Sequence, residues 1–161
     1  MIGLGRRSVL ALGLAGWLGT AASAAAGDAT VFAAWPSPKE PWNRGYGAAL
    51  SSTWFQVVSL EAEAARIPAQ NQDGNMTSFT GSALLAPPIG FLTPYGGVGI
   101  GLFRQTLGSL SDTGVLRATI LGAKLKLGLI VLKGEYRSLS LSGNPLLPMD
   151  HRISAGAGIS F

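Results

Sequence analysis

The sequence predicts an all-β chain, an eight-stranded antiparallel up-and-down transmembrane β-barrel that follows a cleaved signal peptide. Three observations predict it. Segment after segment alternates apolar with small or polar side chains, the period-2 pattern of a strand. The chain is 47% hydrophobic and only 12% charged. Yet no run of about 18 apolar residues follows the first 26 positions, which argues against helical spans. Finally, connections after the first, third, fifth and seventh segments read as long, and those after the second, fourth and sixth as short. Outer-membrane barrels sort their loops in this way, with both termini on the short-turn side.

Residues 1–26 read as the signal peptide and 27–161 as the barrel domain. Arg6 and Arg7 supply the charged start, Ser8–Leu18 the apolar core, and Ala22-Ser23-Ala24 an A-x-A cleavage pattern. The arginine pair also suggests a twin-arginine route. That route carries folded cargo, so two ordinary leader charges fit a barrel better. The formal charge of +4 falls to +2 when the two arginines leave. That balance is too weak and scattered for nucleic acid. The absence of cysteine excludes disulfides, a lipoprotein anchor and thiolate metal sites.

The first strand is expected over Asp28–Trp35, stopped by Pro36, Pro38 and Pro41. The second, Gly45–Trp54, alternates Tyr46, Ala48 and Leu50 with Gly47, Ala49 and Ser51. In the third, Gln56–Arg66, Leu60, Ala62 and Ala64 oppose Ser59, Glu61 and Glu63. Its Leu60–Arg66 stretch also has good helix formers, but the β-tending flanks favour strand. Asp73-Gly74-Asn75 closes a polar loop, and the fourth strand, Thr77–Ala86, sets Phe79, Ala83 and Leu85 against Thr80 and Ser82. The fifth, Leu92–Gln105, faces Val98, Ile100 and Leu102 one way and Gly97, Gly99 and Gly101 the other. No helix or acidic partner follows to make this a nucleotide loop, so the glycines are expected to make room inside a narrow barrel.

A loop over Leu107–Asp112 is expected next. The sixth strand, Val115–Leu127, puts Thr119, Leu121 and Leu125 on one face, with Ala118, Lys124 and Lys126 on the other. After Gly128 the seventh, Leu129–Leu141, sets Leu132 and Tyr136 against Lys133, Glu135 and Arg137. Ser142–Asp150 is the last long loop. The final stretch, His151–Phe161, alternates Ile153, Ala155, Ala157, Ile159 and Phe161 with Ser154, Gly156, Gly158 and Ser160. An apolar outer face ending on an interfacial aromatic is expected of a barrel's closing strand.

Taken in order, Leu60-Glu61-Ala62-Glu63, Phe79-Thr80-Gly81, Pro94-Tyr95-Gly96-Gly97-Val98-Gly99 with Gly101, Glu135-Tyr136-Arg137 and Ser160-Phe161 resemble the small eight-stranded Gram-negative outer-membrane β-barrel family. The resemblance covers nearly the whole mature chain. It implies an outer-membrane location and lipid and lipopolysaccharide as surroundings. It further implies Ile153, Ala157, Ile159 and Phe161 as the signal read by the barrel-assembly machinery.

If apolar faces look at lipid, then Glu61, Glu63, Lys124, Lys126, Lys133, Glu135 and Arg137 look inward. An eight-stranded barrel is filled by its own side chains, and unpaired buried charge is costly, so a paired structural plug is expected rather than an ion path. Arg66, Arg104 and Arg117 fall in the lipid-facing phase beside the long loops, where guanidinium groups suit lipopolysaccharide phosphates. The sole histidine, His151, and Ser154 fall on opposite faces and no carboxylate completes a triad.

The expected function is therefore structural or surface interaction through four long loops, by a monomer with no catalysis, cofactor or metal. The alternatives are a soluble periplasmic lipocalin-like barrel with its apolar faces turned inward, and a lipid A-modifying acyl enzyme.

Overall fold

A computed structural model describes residues 26–37, 39, 41–70 and 73–161. The expected signal peptide lies outside the described residues, apart from Ala26. Eight strands follow in order: β1 Ala26–Pro36, β2 Gly45–Trp54, β3 Val58–Pro68, β4 Gly74–Leu85, β5 Leu92–Leu107, β6 Leu110–Leu127, β7 Ile130–Leu141 and β8 His151–Ser160. Each pairs antiparallel with its sequence neighbours, and β1 closes on β8 from Asp28 opposite Ser160 to Pro36 opposite Arg152. Closure removes the sheet edges that an open β protein must otherwise protect.

Alternation decides which residues look out. Phe79, Val98, Ile100, Leu102, Leu121, Ile153 and Ile159 are exposed on the wall, while the residues beside them in sequence turn into the lumen. Leu60–Arg66 is strand throughout: Glu61 lies opposite both Ser51 of β2 and Ser82 of β4. Its helix formers yield to two flanking ladders, because each strand peptide there pairs on both sides. Aromatics gather at both ends of the outer wall. Trp35, Tyr46 and Tyr136 stand exposed near the β1–β2 end, and Trp54, Phe55, Phe91 and Phe161 at the other. Tyr46 and Trp54 are eight residues apart on β2, about 27 Å along a strand, or roughly 20 Å along the axis at a ~40° tilt, close to the apolar band of a spanning barrel.

The start of β1 and the end of β8 lie at the end that carries the β2–β3, β4–β5 and β6–β7 turns, where the Gly27 and Phe161 amides and carbonyls bond reciprocally. The Phe161 ring lies across Gly27 on the outer wall.

Loop lengths depart from expectation. The segment read as a loop over Leu107–Asp112 is a two-residue turn, Gly108-Ser109, with Leu107 opposite Leu110. Gly108 takes φ 57°, which glycine supplies without strain at the first central position of such a hairpin turn. Its residues extend β5 and β6 into a hairpin projecting beyond β7, which pairs with β6 only from Leu116. The long connections at this end are therefore the β1–β2 segment and the β7–β8 segment over 142–150. On the other side, the β4–β5 connection, 86–91, is longer than the few residues expected.

Candidate functional site

The interior is layered. At the centre, β3 presents Glu61 and Glu63, β7 presents Lys133, Glu135 and Arg137, and β8 adds Arg152. Period-2 alternation aims all of them inward. Lys133 Nζ lies 2.8 Å from Glu61 Oε2 and 3.0 Å from Glu135 Oε2. Arg137 Nη2 donates to Glu61 Oε1 at 2.8 Å and its Nε donates to Glu135. Arg152 Nη2 donates to Glu63 Oε1 at 2.7 Å. Arg137 Nη2 also stands 2.9 Å from Glu63 Oε2, a charge contact without hydrogen-bond alignment. All six residues are buried.

Nearer the termini, Lys124 Nζ donates to Asp28 Oδ2 at 3.0 Å and to Ser51 Oγ at 2.9 Å. Lys126, half-buried at the opening, sits 3.2 Å from the other Asp28 oxygen. Tyr95 stands between these two groups. Its hydroxyl donates to Glu135 Oε2 at 2.9 Å, and the Lys124 and Lys133 ammonium groups lie 5.7 and 5.6 Å from its ring centre.

At the opposite end an apolar cap of Trp42, Ile67, Met76, Phe103, Leu116, Ile120 and Met149 closes the lumen. Trp42 and Met149 come from the β1–β2 and β7–β8 connections, which fold into the mouth. Trp42 Nε1 donates to the Pro148 carbonyl at 2.8 Å, while the Gln105 side chain pairs with both the amide and the carbonyl of Leu147.

All seven charged residues read from sequence as lumenal therefore face inward. All seven form ion pairs, six of them buried within the barrel and Lys126 at its opening. Asp28, Tyr95 and Arg152 belong to the same network and were not singled out by the sequence. The signal was present: Arg152 shares the phase of Ser154 and Asp28 that of Thr30. Glu61, Glu63 and Glu135 bring carboxylate oxygens within 4.8 Å of one another, a metal-like grouping. Lys133 and Arg137 occupy the positions between them, so the negative charge is already balanced by side chains.

On the outer wall, Ile153, Ala157, Ile159 and Phe161 are all exposed. His151 also faces out, its ring stacked near Tyr136 at 6.3 Å, while Ser154 is buried inside. The two form no nucleophile–base pair. Arg66, Arg104 and Arg117 project outward as well. Arg66 and Arg104 flank Thr77 on neighbouring strands. Arg117 stands apart, opposite Ser140 near the end of β7, seven residues into the lengthened β6. Arg66 and Arg117 each line a shallow groove on the outer wall, of about 400 and 330 Å³.

Solved structures share this architecture. Neisserial surface protein A superposes with a TM-score of 0.66 at 16% identity, over 85% of this chain and 96% of that one. The fold is that of the small outer-membrane β-barrels. The N-terminal barrel of Pseudomonas aeruginosa OprF matches with a TM-score of 0.61 at 16% identity, covering 84% and 97% of the two chains. The Yersinia pestis attachment invasion protein Ail, solved with the heparin analogue sucrose octasulfate, gives 0.59 at 16%, covering 86% and 100%. No protein-family model matches the sequence, and no curated protein matches it significantly.

Proposed function

We propose that this chain is an integral outer-membrane β-barrel whose interior is a structural plug and whose role is structural or surface interaction rather than catalysis. The observation that carries this reading is the inverted distribution of polarity. Apolar side chains such as Val98 and Leu121 are 64% and 67% exposed on the wall, while Glu63 and Arg137 are 2% and 1% exposed inside. Water does not select such a surface, whereas hydrocarbon does, and only a structure with every wall peptide paired can face it.

The same distribution argues against the lipocalin-like alternative, which needs the charged faces outside. An acyl enzyme is disfavoured by His151 and Ser154 pointing to opposite sides of the wall. Recognition of β8 by the barrel-assembly machinery is supported by the outward row ending in Phe161, and a monomer by the closure of β1 on β8, which completes the ring within one chain. Arg66, Arg104 and Arg117 are assigned to lipopolysaccharide phosphates, supported by their shared outward direction near the long-connection end.

Fractionation and gel mobility test the reading together. The protein is expected in the outer-membrane pellet and should run as a faster band unheated than boiled, because a closed barrel stays compact in detergent until heated. Recovery in the soluble periplasm with a single band would sink it.

A further inference from the structure

At the β5–β6 hairpin, β6 outruns its other neighbour, β7. β5 is covered by β4 as far as Leu107 opposite Gly74, but β6 pairs with β7 only from Leu116 onward. Beyond that, the Ser142 amide donates to the Val115 carbonyl at 2.8 Å, and the chain then leaves the sheet. The segment Leu110–Gly114 pairs on one side only, with β5. Backbone groups point alternately to the two sides of a strand. Because the Val115 carbonyl points toward β7, the amides and carbonyls of Ser111 and Thr113 point the same way, and none of them has a hydrogen-bond partner among the described residues. Both residues are exposed.

A second feature lies on this segment. Asp112 has the inward phase of Leu116, and its Oδ2 is shielded from solvent without a hydrogen-bond partner. A shielded carboxylate oxygen is costly until a donor reaches it, and a cation serves best.

We propose that the free edge of β6 at Leu110–Gly114 is a docking strand that takes an extended segment of another protein by β-augmentation, and that Asp112 selects a lysine or arginine facing it. The incoming strand would exchange backbone hydrogen bonds with Ser111 and Thr113, which supply affinity, while its basic side chain reaches Asp112 and sets register. Unpaired edges attract strands in general, so the acid supplies discrimination. A second copy of this chain is a poor occupant, since two-fold pairing of identical segments about Asp112 sets carboxylate against carboxylate.

The test uses the mature chain refolded in detergent, with folding of every variant checked by its heat-dependent gel mobility. Two synthetic peptides, acetyl-TVTVKVTVT-amide and the same sequence with glutamate for the central lysine, are titrated by fluorescence anisotropy. Amide hydrogen exchange is followed at Ser111 and Thr113. The lysine peptide should bind at least ten-fold tighter than the glutamate one and slow exchange at both amides. D112N should erase the preference. T113P, which removes an edge donor without touching the β5 ladder, should abolish binding. Equal binding of both peptides, binding that survives T113P, exchange unaltered at these amides, or peptide-independent dimerisation through this edge would each overturn the proposal.

Discussion

Single residues inside this barrel are arranged so that like charges face each other across strands and are held there by acids of β1, β3 and β7. Lys124 lies directly opposite Lys133, and Arg137 opposite Arg152. Such pairs alone are destabilising. Asp28 draws Lys124 toward β1, Glu61 and Glu135 hold Lys133, and the Tyr95 ring stands between the two lysines. Glu63 bridges Arg137 and Arg152, with one oxygen on each. Arg137 touches all three glutamates and Arg152 only one, which ranks them. R137M should cost on the order of 3–5 kcal/mol, the loss expected on orphaning buried partners, and R152M distinctly less. Urea-induced unfolding of the two variants in detergent checks this, and equal losses would show that the glutamates are held by other means.

Elements are shaped chiefly by glycine placement. On β5 the inward glycines admit close approach by β4: a Cβ on Gly101 would lie 2.0 Å from the Phe79 carbonyl oxygen. Gly158 of β8 stands in the same relation to the Ala29 carbonyl, at 1.9 Å. Gly134 of β7 faces outward with nothing within 4 Å. A β-branched residue at position 101 therefore meets backbone, which cannot rotate away, whereas a methyl at 134 meets open space. G101V should lose the fast-migrating folded band on unheated gels, and G134A should keep it with stability altered by less than about 0.5 kcal/mol. A folded G101V barrel would show that β4 and β5 can separate at little cost. Glycine also accounts for β5 and β6 running longer than their hydrophobic pattern suggests. Leu107–Asp112 is polar enough to read as loop, but Gly108 permits a tight turn and the residues either side gain a ladder.

At the scale of the whole molecule, an apolar wall encloses four buried carboxylates, Asp28, Glu61, Glu63 and Glu135, against Lys124, Lys133, Arg137 and Arg152. Lys126 stands at the opening, and the loops fold back as a cap over the other mouth. Outward charge on the strands consists of the three arginines. Charge reversal at Arg66, Arg104 and Arg117 together should leave folding intact yet reduce lipopolysaccharide that co-purifies with the barrel, measured by its phosphate content. Unchanged co-purification and membrane retention would return these side chains to ordinary solvated rim charges.

Strand existence, inward and outward phase, and the seven charged lumen residues were legible in the sequence because alternation is a local property of each strand. Asp28 and Arg152 carried the same local signal, but lay at segment ends where phase alone did not name a partner. Which charge meets which was beyond local reading: Lys124 and Asp28 are brought together only when β1 closes against β8 and the lumen forms. The length of the β5–β6 hairpin, the cap built by Trp42 and Met149, and the open edge at Ser111 and Thr113 likewise follow from register between strands. Period tells a side chain which way to face, while closure of the barrel decides what it faces.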